Sequence, residues 1–251
     1  MHDGTRGLNL TFQVLDVLRM LITNIFAAKH FGAAAPPDVI SAVSAATAGP
    51  PGSIAPPTRL MALRLFVNAF KAADTRALVA RNCSAVLAGA QGSGSFANQQ
   101  VQVAYGTLLL NLAVHMREVG EDAVGGSAVV RAAVSGGAEF LHTDAAGSSG
   151  HEDGVYRVMA AIGTICVAAP AYQSLASELG VLAVADCLAA QHSSPKVHAC
   201  LCVPCTHTHT HTHTHTHHLY RCGSARSSFA LPARDVRASG LIDGRLTITP
   251  Q

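Results

Sequence analysis

Tryptophan is absent from this 251-residue chain, aromatic residues of all kinds make up 5% of it, and charged residues only 13%. Strands draw on aromatic and β-branched side chains, so this poverty argues against a β-sandwich or barrel. The 17 Lys and Arg nearly balance the 15 Asp and Glu, for a formal net charge of +2. No field of either sign is available to attract nucleic acid or an anionic membrane, and neither is expected as a partner. A long apolar run is missing as well. The first candidate, Phe12 to Ala28, is interrupted by Gln13, Asp16, Arg19 and Asn24. A membrane helix needs about 20 nearly continuous apolar residues, so neither a span nor a secretory leader is expected. The seven cysteines, odd in number, then read as the reduced thiols of an intracellular protein rather than a disulfide framework. The cytoplasm is the expected location, with the nucleus as a second compartment.

What is plentiful is small and apolar. Hydrophobic residues reach 49%, mainly Ala, Val and Leu, a mixture that favours close-packed helices. Phe12, Leu15, Leu18, Ile22, Ile25 and Phe26 recur at steps of three and four, which predicts one amphipathic helix from Phe12 to about Phe31. A stretch rich in Pro, Gly and Ala follows, with room for a short helix around Val39–Ala45. The next helix is expected over Thr58–Ala73, with Thr58 as its N-cap after Pro56 and Pro57. Leu78, Val79, Cys83, Val86 and Leu87 predict a shorter helix closed by the glycines from Gly89. Five more are expected over Val101–Val119, Val129–Leu141, Val155–Ala169, Tyr172–Leu179 and Val181–Ala190, with small polar linkers at Gly120–Gly126 and Ala145–Gly154. No run alternates with period two over strand length. The fold class is all-α.

The helices also repeat. Arg19, Arg64, Thr107 and Arg157 occupy comparable places in similar segments, at separations of 45, 43 and 50 residues. Helical arrays of the armadillo type repeat every ~40–47 residues, and each unit buries its apolar face against the next. An irregular armadillo-like α-solenoid over residues 10–202 is therefore expected.

Leu15-Asp16-Val17-Leu18-Arg19, Leu63-Arg64-Leu65-Phe66-Val67-Asn68-Ala69-Phe70, Tyr105-Gly106-Thr107-Leu108-Leu109-Leu110-Asn111 and Arg157-Val158-Met159-Ala160-Ala161-Ile162-Gly163-Thr164 stand in this order. Together they resemble the PUL domain of the phospholipase A₂-activating protein family, over roughly residues 12–200. The resemblance implies an armadillo-like adaptor whose groove captures the acidic, tyrosine-containing C-terminal tail of the AAA ATPase valosin-containing protein. It implies a role in ubiquitin-dependent protein handling in which ubiquitin is met only indirectly. Carried over by motif, the two principal groove arginines fall on Arg19 and Arg157, and Arg64 holds the corresponding place in the unit between them. The chemistry suits them, because a guanidinium matches a carboxylate with a planar fork that Lys lacks. Each arginine also has a plainer reading, a stem that snorkels to solvent or a pair with a nearby acid. Asn68 and Asn111 would bond either a ligand backbone or loop carbonyls between units. Phe66, Phe70 and Tyr105 read as core.

The C-terminal part reads differently. Cys200, Cys202 and Cys205 precede a Thr/His alternation over Thr206–His218. Cys and His at short spacing are zinc ligands, and Cys202, Cys205, His207 and His209 form the candidate set for a metal- or redox-active protein. A structural zinc site usually takes two ligand pairs separated by a folded segment, however, and a redox pair needs a strand before it. Alternating Thr and His is also what a CA dinucleotide repeat encodes, so residues 203–222 read as a low-complexity artefact of the gene model and 223–251 as a disordered tail. Elsewhere Gly92-Ser93-Gly94 lacks the strand of a nucleophile elbow, His115 has no evident partner, and His151-Glu152-Asp153 reads as a solvated loop. No enzyme activity and no cofactor are expected. A further alternative is the non-catalytic PUL region of a thioredoxin-like or desumoylase protein.

Overall fold

Alanine-rich segments with apolar residues on one stripe hold helices only when the stripes are buried against each other. The computed structural model describes residues 4–33, 38–48, 54–90, 98–145 and 152–191, all within one compact unit. Among them are eleven α-helices and no strand. These are α1 (Gly4–Leu21), α2 (Ile25–Gly32), α3 (Val39–Thr47), α4 (Pro56–Ala69), α5 (Ala73–Arg81), α6 (Cys83–Ala90), α7 (Gln99–Val119), α8 (Ser127–Ala145), α9 (Glu152–Ala168), α10 (Ala171–Glu178) and α11 (Val181–Gln191).

They stack in three columns. The first runs α1, α4, α7, α9, the members packing in that order. The third runs α3, α6, α8, α11. In the second, α2 packs on α5, and α5 packs on a single 3-10 turn, Asp122–Val124, that stands where a helix would be. Tyr172 of α10 reaches the same turn by donating its hydroxyl to Glu121 at 2.7 Å. Four helical units follow one another, which is an α-solenoid of irregular armadillo type. The turn is short because Gly120, Gly125 and Gly126 bracket it in left-handed backbone at φ 89°, 101° and 78°, while Val124 is fully buried. A core of side chains including Leu63, Leu65, Tyr105, Leu108, Phe140 and Ile165 runs through the stack.

Burial, followed by the Glu121 contact, pushes the Tyr172 phenol up to about 12, so it keeps its proton and donates throughout the neutral range. Tyr172→Phe should cost about 1.5 kcal/mol in urea unfolding, the range for a hydrogen bond to a charged group. Glu121→Gln, which keeps an acceptor, should cost less.

Several helix boundaries differ from expectation, among them the start of α9, whose first turn holds Glu152 and Asp153 where a solvated loop is expected. The segment from Phe12 to Phe31 is two helices, because Asn24 turns its side chain onto the N–H groups of Phe26 and Ala27 at 3.0 and 3.3 Å and starts a new helix. Ile25 and Phe26 are consequently 73% and 82% exposed instead of buried. Thr58 is not an N-cap; α4 begins on Pro56 and Pro57, whose missing N–H groups fall where a helix start has no use for them, and Thr58 is buried inside. Leu78 to Leu87 spans two helices, since the Asn82 amide donates to the Leu78 carbonyl at 2.9 Å and breaks the run.

The most extensive helix contact in the stack joins α7 to α9. A Cβ on Gly106 would lie 2.9 Å from the Gly154 carbonyl oxygen and 3.1 Å from the Arg157 Cβ. Glycine at 106 lets the two backbones approach, and this places Arg157 beside α7. No helix among the described residues is long and apolar enough to cross a membrane. Residues 203–222 and 223–251 lie outside the described residues.

Candidate functional site

Because the first column stacks like units, equivalent positions on its helices come to one face. That face holds a groove of about 620 Å³. Arg19 of α1, Arg64 and Asn68 of α4, Thr107 of α7 and Arg157 of α9 all line it. Val67, Val103 and Ala104 form its apolar part, and Gln99 and Gln100, the first residues of α7, close one side. The positive end of the α7 dipole therefore lies at the groove.

Each guanidinium is held by a different oxygen. Arg19 donates from Nε and Nη2 to a single carboxylate oxygen of Asp16, at 2.9 and 2.7 Å. Arg157 donates to the Thr107 hydroxyl at 2.5 Å. Arg64 donates to the Gln100 side-chain oxygen at 3.4 Å. The Asn68 amide donates to the Arg19 main-chain carbonyl at 3.1 Å, tying the first unit to the second. Its side chain lines the groove while bonding a carbonyl of α1 rather than of a loop. Arg19, the arginine with an acid at i−3, has the plain ion pair, at 29% and 42% side-chain exposure for Arg19 and Asp16. Neither Arg64 nor Arg157 forms an ion pair among the described residues.

The structure thus brings together Arg19, Arg64, Arg157 and Asn68. Asn111 lies one turn beyond Thr107 on α7, half-buried and outside the groove lining. Phe66, Phe70 and Tyr105 are core, at 2%, 8% and 0% exposure. Asp16, Gln100 and Thr107 escaped the sequence reading as partners of the guanidiniums. The signal for Asp16 was its i,i+3 spacing to Arg19; for the other two it was the helix-to-helix register, which one sequence does not display.

His115 is half-buried. Its Nδ1 is buried with no hydrogen-bond partner among the described residues, and its ring meets Phe70 edge-on at 6.2 Å. Burial and the Arg76 charge lower its pKa, against a smaller opposing pull from Glu118. Cys83 is buried, and its thiol is pushed up to about 12 by that burial, the opposite of an activated nucleophile. No group of three or more His, Cys, Asp or Glu side chains among the described residues could hold a metal ion. Cys202, Cys205, His207 and His209 lie outside the described residues.

The groove offers cations spaced along one face, amides between them and a small apolar floor. Among known sequence families, the model of the PUL domain matches residues 9–202. No curated protein and no solved structure matches the chain.

Proposed function

Because the chain belongs to the PUL domain family, a family of protein-interaction domains, we propose that its groove binds the acidic, tyrosine-containing C-terminal tail of the valosin-containing-protein ATPase. The protein then serves as an adaptor in ubiquitin-dependent protein handling, as the phospholipase A₂-activating protein relatives would, and its role is binding without catalysis. The observation that carries this reading is the convergence of Arg19, Arg64 and Arg157 from three helices on one groove. Guanidiniums of this set meet the tail's carboxylates, in charge-assisted bonds that are the stronger kind. Val67, Val103 and Ala104 receive the tyrosine ring, and the Gln99 and Gln100 amides serve the peptide backbone.

A fluorescence-anisotropy titration of the full chain with a labelled tail peptide tests the proposal. Binding should be micromolar, about −7 to −8 kcal/mol, and should weaken as salt screens the arginines. Arg19→Ala/Arg157→Ala should bind at least about tenfold more weakly, the loss of roughly 1.4 kcal/mol or more. A chain that circular dichroism shows to be folded and helical, yet that ignores the peptide, would remove this ATPase as the partner.

A further inference from the structure

Three cations line the groove, but they are not equivalent in charge. Asp16 takes both Nε and Nη2 of Arg19 on one oxygen, so the Arg19 charge is compensated before any ligand arrives. Arg64 and Arg157 are held only by the neutral oxygens of Gln100 and Thr107. A neutral acceptor orients a guanidinium without cancelling it, and a hydrogen bond to a carboxylate would replace it at a gain. The groove therefore presents two uncompensated positive charges, both on the α4–α7–α9 side, and a neutralised arginine at its α1 end.

We propose that Asp16 is a specificity-determining residue that sets how many acidic groups the bound segment carries. With Asp16 in place the groove selects a peptide with two acidic groups, one for Arg64 and one for Arg157. Arg19 keeps Nη1 for a neutral acceptor, such as a peptide carbonyl or a phenol oxygen. A third acid bound to Arg19 would share that guanidinium with the Asp16 carboxylate already on it, and the repulsion between the two offsets what Arg19 offers. This inference rests on the reading of the groove as an acidic-peptide site.

The test uses tyrosine-containing peptides with one, two or three glutamates against the full chain and its Asp16→Asn and Asp16→Ser variants, by anisotropy over a range of salt. The native protein should prefer two glutamates to one by about tenfold and gain less than about twofold from the third. Both variants should bind the three-glutamate peptide roughly three- to fivefold more tightly than the native protein, with a steeper dependence on salt. Arg64→Ala and Arg157→Ala should each flatten the salt dependence, while Arg19→Ala lowers affinity and leaves that dependence unchanged. Circular dichroism confirms that each variant is folded. If both Asp16 variants bind more weakly with an unaltered salt dependence, Asp16 merely holds Arg19 in place and the proposal is overturned. If the folded native chain binds none of the peptides, the groove reading falls and takes this proposal with it.

Discussion

Gly106→Val should destabilise the protein by about 3 kcal/mol in urea unfolding, the upper end for overpacking a close contact, and should weaken tail-peptide binding as well. The added Cβ alone would stand 2.9 Å from the Gly154 carbonyl oxygen, 3.1 Å from Arg157 Cβ and 3.4 Å from Val158 Cγ2. The nearest of these is backbone and cannot rotate away. The reciprocal position is nearly as tight, since a Cβ on Gly154 would lie 3.3 Å from the Gln102 main-chain carbon. Moving α9 outward draws Arg157 from the Thr107 hydroxyl that positions it, so stability and binding fall together. Gly163→Ala in the same helix is the control. Nothing lies within 4 Å of its Cβ, so the substitution should stabilise by up to ~1 kcal/mol through helix propensity alone. Equal losses at both glycines would mean that the α7–α9 crossing is not the feature that matters.

The same crossing marks the limit of what the chain's pattern discloses. The columns were legible because each unit repeats an arginine or threonine at a comparable place, so Arg19, Arg64, Thr107 and Arg157 announce both the stack and the face they share. Periodicity alone misled where a helix ends without a change in apolar spacing. Ile22, Ile25 and Phe26 keep helical steps straight through a boundary that Asn24 sets by capping. Asn111 continues the Gln100–Val103–Thr107 stripe but stands about 6 Å further along α7 than Thr107, outside the groove lining. The partners of Arg64 and Arg157 come from neighbouring units 36 and 50 residues away. Their contact depends on how closely the helices approach, which residue spacing within one helix does not encode.

Asp38→Ala should cost about 2 kcal/mol, because it removes a helix cap and takes from the Asn82 amide and the half-exposed Arg81 their shared acceptor. Asp38 is 2% exposed. It accepts the Ser41 N–H at 2.9 Å at the start of α3, the Arg81 guanidinium at 2.8 Å, and the Asn82 amide at 3.1 and 3.2 Å to its two oxygens. The carboxylate thereby pins α3 to the α5–α6 junction, and Asn82 is the residue that makes the junction. Burial alone would raise the Asp38 pKa; Arg81, the Ser41 N–H and Asn82 together outweigh it, and the net shift is downward. A carboxyl lowered in the folded state contributes stability that is fully present above its unfolded pKa of about 3.9 and is lost as pH falls through the lower folded value. Asp38→Asn keeps an oxygen for the Ser41 cap but not the charge, and should cost about 1–2 kcal/mol near neutrality. Urea unfolding of the native protein and Asp38→Asn should therefore differ by a constant amount from neutral pH down to about 5, and converge below about 4. A difference that persists unchanged into that acid range would show that the cap and the amide contacts hold α3, and that the charge on Asp38 contributes nothing.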